Sequence, residues 1–133
     1  MAKDEITLIV PAKSEYAKTV RMTAAALASR IGMTYEEVED VRMAADEAFV
    51  YASDTLSADA EIRFLFMLGD DDIEIDVGLG VEEPRLDEDS EASVAYATFI
   101  LESVCDRYEF ASDENGAHLR LYRRAGGIDA GQA

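Results

Sequence analysis

The chain has 133 residues, 49% hydrophobic and 31% charged, which is enough apolar material for one globular domain with a real core. Its 29 acidic residues against 12 Lys and Arg give a formal charge of -17, which disfavours nucleic acid and anionic membranes as direct partners and favours basic ones. The single cysteine, Cys105, excludes an intrachain disulfide and a thiolate zinc cluster, and no apolar run nears the roughly 20 residues of a membrane span.

Residues 5–10 form a short apolar run, Ile6-Thr7-Leu8-Ile9-Val10, stopped by Pro11, and read as an edge strand. Ser14 is the expected N-cap of a first helix. Tyr16, Val20, Ala24, Leu27 and Ile31 recur at helical spacing as one buried stripe, and Gly32 ends it. Thr34 and Glu37 form a capping box for a second helix. That helix carries Val38, Val41, Ala45, Ala48 and Ala52 as its core seam. Asp40, Ala44, Glu47 and Tyr51 make a neighbouring stripe, with Glu47 and Tyr51 four residues apart.

Residues 61–68 read as a strand with Ile62, Phe64, Phe66 and Leu68 on one face. A polar turn, Gly69-Asp70-Asp71-Asp72, leads to a strand over 73–77 with Ile73, Ile75 and Val77 inward, so the two make a hairpin. An acidic loop follows over 82–91. A third helix has Val94, Ala97, Leu101, Val104 and Tyr108 as its seam. A last strand over 117–124 turns Leu119 and Leu121 inward and His118, Arg120 and Tyr122 outward, with His118 exposed. The Gly- and Ala-rich end, 125–133, reads as a frayed tail behind a domain of residues 1–124. The order β-α-α-β-β-α-β, with one apolar stripe per helix, predicts an α+β fold. This is a two-layer α/β sandwich, a mostly antiparallel four-stranded sheet with three helices on one face.

The chain resembles the anti-sigma factor serine kinases, members of the Bergerat-fold, histidine-kinase-like ATPase superfamily. Val20-Arg21 matches a recurrent Val-Arg, and Ala44-Ala45-Asp46-Glu47-Ala48 matches the start of the family's N-box. Leu101-Glu102-Ser103-Val104-Cys105-Asp106, followed by Tyr108-Glu109-Phe110, matches its late helix and the exit toward the last strand. The resemblance implies ATP and Mg as cofactors, with Glu47 as the catalytic residue that orients or deprotonates an attacking hydroxyl. It implies an Asn four residues later for magnesium. An Asp-x-Gly-x-Gly segment would bind adenine, matched in letters by Asp76, Gly78 and Gly80, and glycines at a helix start would cradle phosphates.

The chain departs from that pattern. Tyr51 stands at the magnesium position, and Ser93-Val94-Ala95-Tyr96-Ala97 has no glycine. Asp76 falls in phase with Glu74, opposite Ile73 and Ile75, whereas the family's Asp is in phase with the inward residues. From residue 43 to 106 the chain holds 18 acidic residues and two basic ones, Arg63 and Arg85. The expectation is a degenerate member that binds a sigma factor, a STAS-type antagonist, or both, with Arg21 in the partner contact. The acidic loop, in the place of the family's ATP lid, would be a docking site for a basic partner. The alternative is an active serine kinase that phosphorylates the antagonist, and a blander one is a homodimer through the first strand. Each site residue also has a plain reading: Glu47 as a solvated helix residue, Arg21 as a surface cation, Cys105 as core filler. With no signal core in Met1-Ala2-Lys3-Asp4-Glu5, a cytoplasmic location is expected.

Overall fold

The computed structural model describes residues 4–57, 59–80 and 88–126, with the backbone alone at 88–91 and 93. The acidic loop up to Asp87 and the tail from 127 onward therefore lie outside the described residues. The strands are β1 (Asp4–Pro11), β2 (Glu61–Leu68), β3 (Asp72–Gly78), β4 (Arg107–Asp113) and β5 (Gly116–Arg124). The helices are α1 (Ala17–Arg30), α2 (Tyr35–Thr55) and α3 (Glu88–Val104). One antiparallel sheet runs β1-β2-β3-β5-β4, which places β1 at an edge as its proline-stopped sequence requires.

All three helices cover one face. Inward residues alternate strictly along the strands: Ile62, Phe64, Phe66 and Leu68 on β2, Ile73, Ile75 and Val77 on β3, Leu119 and Leu121 on β5. Helix α2 lies over β2, β3 and β5, between α1 and α3. Its Val41, Ala44, Ala45, Ala48 and Ala52 are small enough to let the helix approach the sheet, and Phe49 fills the space that remains. Each fully buried Phe, Ile or Leu contributes about 1.5–3 kcal/mol over an exposed one. The sandwich predicted from sequence is the one that forms. Among the described residues no helix is long and apolar enough to cross a membrane.

Three local expectations are corrected. The sheet has five strands, not four: β4 pairs with β5 in a hairpin whose turn is Glu114-Asn115, and Asp113 accepts the Asn115 N–H at 2.8 Å. Tyr108 accordingly sits on β4 and does not extend the α3 seam. Ser14 does not cap α1. It opens a short 3-10 turn, Ser14–Tyr16, and α1 starts behind it without a side-chain cap. The buried stripe of α1 is Val20, Ala24 and Ala28, with Leu27 and Ile31 only packed at its margin and Tyr16 exposed.

The helix ends otherwise follow their signals. Gly32, at φ 83°, donates to Ser29 O at 3.0 Å while Met33 donates to Ala28 O at 3.3 Å, so two orphan carbonyls of α1 are satisfied. The capping box of α2 is complete, with Thr34 Oγ1 accepting from Glu37 N–H and Glu37 Oε1 accepting from Thr34 N–H. The expected tail is fastened at its base: Ala125 donates to Asp71 O at 2.8 Å, and Gly126 N–H donates to Glu37 Oε2.

Candidate functional site

Helix α2 carries the candidate chemistry, because its neighbouring stripe runs along the edge of the core. Glu47 is only 9% exposed, so it is not a solvated surface residue. Burial pushes its carboxyl above the usual carboxylate range, and the charges of Asp46 and Asp54 push the same way. Among the described residues no cation pairs with it. A buried carboxyl with a raised pKa is suited to taking up a proton, which is the property a general base or acid needs.

Tyr51, one turn later, is half-buried and packs edge-on against Phe110 of β4, with ring centroids 5.4 Å apart at 62°. The position one turn after Glu47 is thus an aromatic ring engaged with another aromatic ring, Phe110, which is itself 41% exposed. No carbonyl, amide or carboxylate oxygen is supplied by either ring, and magnesium takes oxygen ligands. Among the described residues no group of three or more His, Cys, Asp or Glu could hold a metal ion.

The segment from Asp76 to Gly80 is divided between the two faces of the sheet. Asp76 points to the face without helices, where its Oδ1 meets His118 Nδ1 at 2.8 Å and its Oδ2 accepts from Arg120 Nε at 3.1 Å. His118 is not freely exposed. It is held between Asp76 and Asp113, whose Oδ1 lies 3.2 Å from Nε2. The inward position beyond Val77 belongs to Leu79, which is buried. Gly78 has open space, since a Cβ there would meet Arg63 O at an ordinary 3.9 Å. Gly80 is required by the fold: its φ is 87°, and a Cβ would lie 2.8 Å from Leu56 Cδ2. It also accepts the Ala117 N–H at 3.0 Å, so it ties the exit of β3 to β5.

Arg21, on α1, donates from Nη1 to Asp46 Oδ1 at 3.0 Å. The pair is about one-third exposed on each side and joins α1 to the residue that precedes Glu47. Cys105, just past α3, is buried, and burial pushes its thiol up to about 12, so it is inert core.

Sequence reading missed a polar link under α2. Arg123, 6% exposed, turns inward from β5 in phase with Leu119 and Leu121. Its Nη2 donates to Asp40 Oδ2 at 3.1 Å and its Nη1 to Arg124 O at 3.0 Å, with Asp106 Oδ2 4.0 Å away. Burial holds the Asp40 carboxyl above its usual value against the opposing pull of Arg123. The signal was available: a charge in the inward phase of the last strand, and an aspartate on the second stripe of α2.

No family model matches the chain. It is similar to the serine-protein kinase RsbW of Bacillus pumilus, 37% identical over 77 residues, which are 54% of this chain and 48% of that protein. The RsbW of Oceanobacillus iheyensis is 39% identical over 84 residues, 63% of this chain and 47% of that one. That of Listeria monocytogenes is 36% identical over 84 residues, again 63% and 47%. The chain thus spans about half the length of the curated relatives it matches. These likenesses support the resemblance to the anti-sigma factor serine kinases first drawn from the N-box and the element order.

Proposed function

We propose that this chain is an anti-sigma-factor-like regulator that works by binding proteins, a sigma factor and a STAS-type antagonist, and that its nucleotide site has been given up. The observation that carries the reading is the Tyr51–Phe110 contact one turn after Glu47, where the resemblance calls for a magnesium-holding Asn. Two further features support it. The carboxylate of Asp76 is committed to His118 and Arg120 on the helix-free face, and the inward positions on either side of it are the hydrocarbon of Ile75 and Val77. ATP and Mg are therefore a poor fit to the described residues.

A second reading, an ATP-dependent serine kinase, is favoured by one observation of the structure. Glu47 is buried with a raised pKa beside Asp46, as a base would be. The names of the similar proteins point the same way. This reading needs magnesium and phosphate ligands from outside the described residues.

Partner binding would use Arg21. To reach an acidic group on a partner it must leave Asp46, and a pair this exposed is worth at most about 1 kcal/mol, so the exchange is cheap. The test is co-purification from the native cell and dissociation kinetics. A sigma factor or a STAS-domain protein should be recovered, and Arg21→Ala should speed its release by roughly tenfold or more, the effect of losing about 1.4–3 kcal/mol. Asp46→Ala, which frees the guanidinium, should bind at least as tightly as the parent. Recovery of neither partner, or an Arg21→Ala protein that binds as tightly as the parent, overturns the assignment.

A further inference from the structure

Helix α3 buries Ala97, Leu101 and Val104 against the core, yet its outer face is also apolar. Tyr96 is 61% exposed and Phe99 70%, three residues and about one turn apart. Ala92 and Ala95 beside them are exposed and too short to shield the rings. Isolated apolar residues on a surface mean little, but two neighbouring aromatic rings on one helix face form a patch. A helix that is apolar on both faces has a second neighbour to find.

The charge of the helix says what kind. Its sequence holds Glu88, Asp89, Glu91 and Glu102 and no Lys, Arg or His. Glu102 is exposed, accepts from Tyr108 Oη at 3.2 Å, and stands in the last turn, where the helix end adds its own partial negative charge.

We propose that the outer face of α3, centred on Tyr96 and Phe99 with Glu102 at its rim, docks a basic amphipathic segment of a partner protein. Apolar side chains of that segment cover the two rings. Its Lys or Arg groups reach Glu102 and the helix C-terminus, and stack on the ring faces. A second copy of this chain is a poor occupant, because it would bring two acidic, cation-free helices together on a protein of charge -17. An anionic membrane is disfavoured by the same charge. The surface is separate from the Arg21–Asp46 pair, since α2 stands between α1 and α3. Loss of one site therefore leaves the other testable.

A photo-crosslinking phenylalanine at position 99, in the full chain in its native cell, should capture a segment rich in Lys or Arg and in apolar residues. The same group at Tyr35, 80% exposed at the start of α2, should not capture it. In solution, a short amphipathic helical peptide of leucine and lysine should bind the parent and bind the Tyr96→Ser/Phe99→Ser variant roughly tenfold more weakly or worse. Arg21→Ala should bind the peptide as the parent does, and Glu102→Gln should flatten its salt dependence. Both serine substitutions are at exposed positions, so an unchanged melting temperature shows that the fold is kept. Capture of another copy of this chain or of an acidic segment overturns the proposal, as does a double variant that binds the peptide as the parent does.

Discussion

At the residue scale, Glu47 and Gly80 separate what the fold needs from what chemistry would need. Glu47 has a carboxyl held above its usual range by burial, so the native state takes up its proton at a higher pH than the unfolded chain does. Above both values, folding bears the cost of an ionised buried carboxylate. As pH falls through the raised value, that cost disappears. Glu47→Gln should therefore raise the melting temperature at neutral pH by about 3–5 °C, the shift that roughly 1 kcal/mol makes in a domain of this size. The gain should vanish below the ordinary carboxylate range, and thermal melts across pH check it. Gly80→Ala should cost about 1–2 kcal/mol from its left-handed backbone alone, more if Leu56 cannot yield, whereas Gly78→Ala should be near neutral. A nucleotide loop would need both glycines for close approach, and this chain needs only the second for its turn.

At the element scale, the sandwich is held by apolar stripes and pinned by a polar link from the buried Arg123 to the half-buried Asp40. Arg123 joins β5 to α2 through Asp40 and lies near Asp106 at the α3–β4 turn. Its Nε is buried without a partner among the described residues, so the link is not fully satisfied there. Arg123→Ala should cost about 2–4 kcal/mol, because it removes a buried side chain from the core and leaves the half-buried Asp40 without its cation. Asp40→Leu combined with Arg123→Met should recover most of that loss. Denaturant unfolding of the single and double variants measures the difference, and a double variant no better than the single would mean that packing, not charge, is lost. The strands β2 and β3 were legible to within a residue, because period-two alternation leaves no choice of face. Strand β4 was hidden because its first inward residue, Tyr108, continues the helical apolar rhythm of α3. The Asn115-Gly116 pair, which spans its turn and the start of β5, was the missed sign. The exposure of His118 was misjudged because sequence shows its face but not that Asp76 and Asp113 flank it. The phase of Asp76 was readable, and the carboxylate does lie on the face away from the helices. The burial of Glu47 was not, because the rhythm of α2 alone does not tell how far the core extends around the helix.

At the scale of the whole molecule, the protein has an acidic surface, one helix layer and two separated binding candidates, Arg21 at the α1–α2 seam and the aromatic face of α3. A charge of -17 raises the rate of encounter with basic partners and is screened by salt, so it sets association more than lifetime. The same charge opposes a triphosphate, most of all between residues 43 and 106, where 18 carboxylates face two cations in sequence. We propose that the scaffold binds proteins and does not hold a nucleotide, since Tyr51 stands where the resemblance calls for a magnesium ligand and Asp76 faces away from the helices. Calorimetric titration of the full chain with ATP and magnesium tests it most directly. The expected result is a dissociation constant weaker than about 100 μM, less than roughly 5.5 kcal/mol of binding, and no improvement on adding magnesium. Micromolar, magnesium-dependent binding that is lost in Glu47→Ala or Tyr51→Ala would contradict the account and establish the kinase reading in its place.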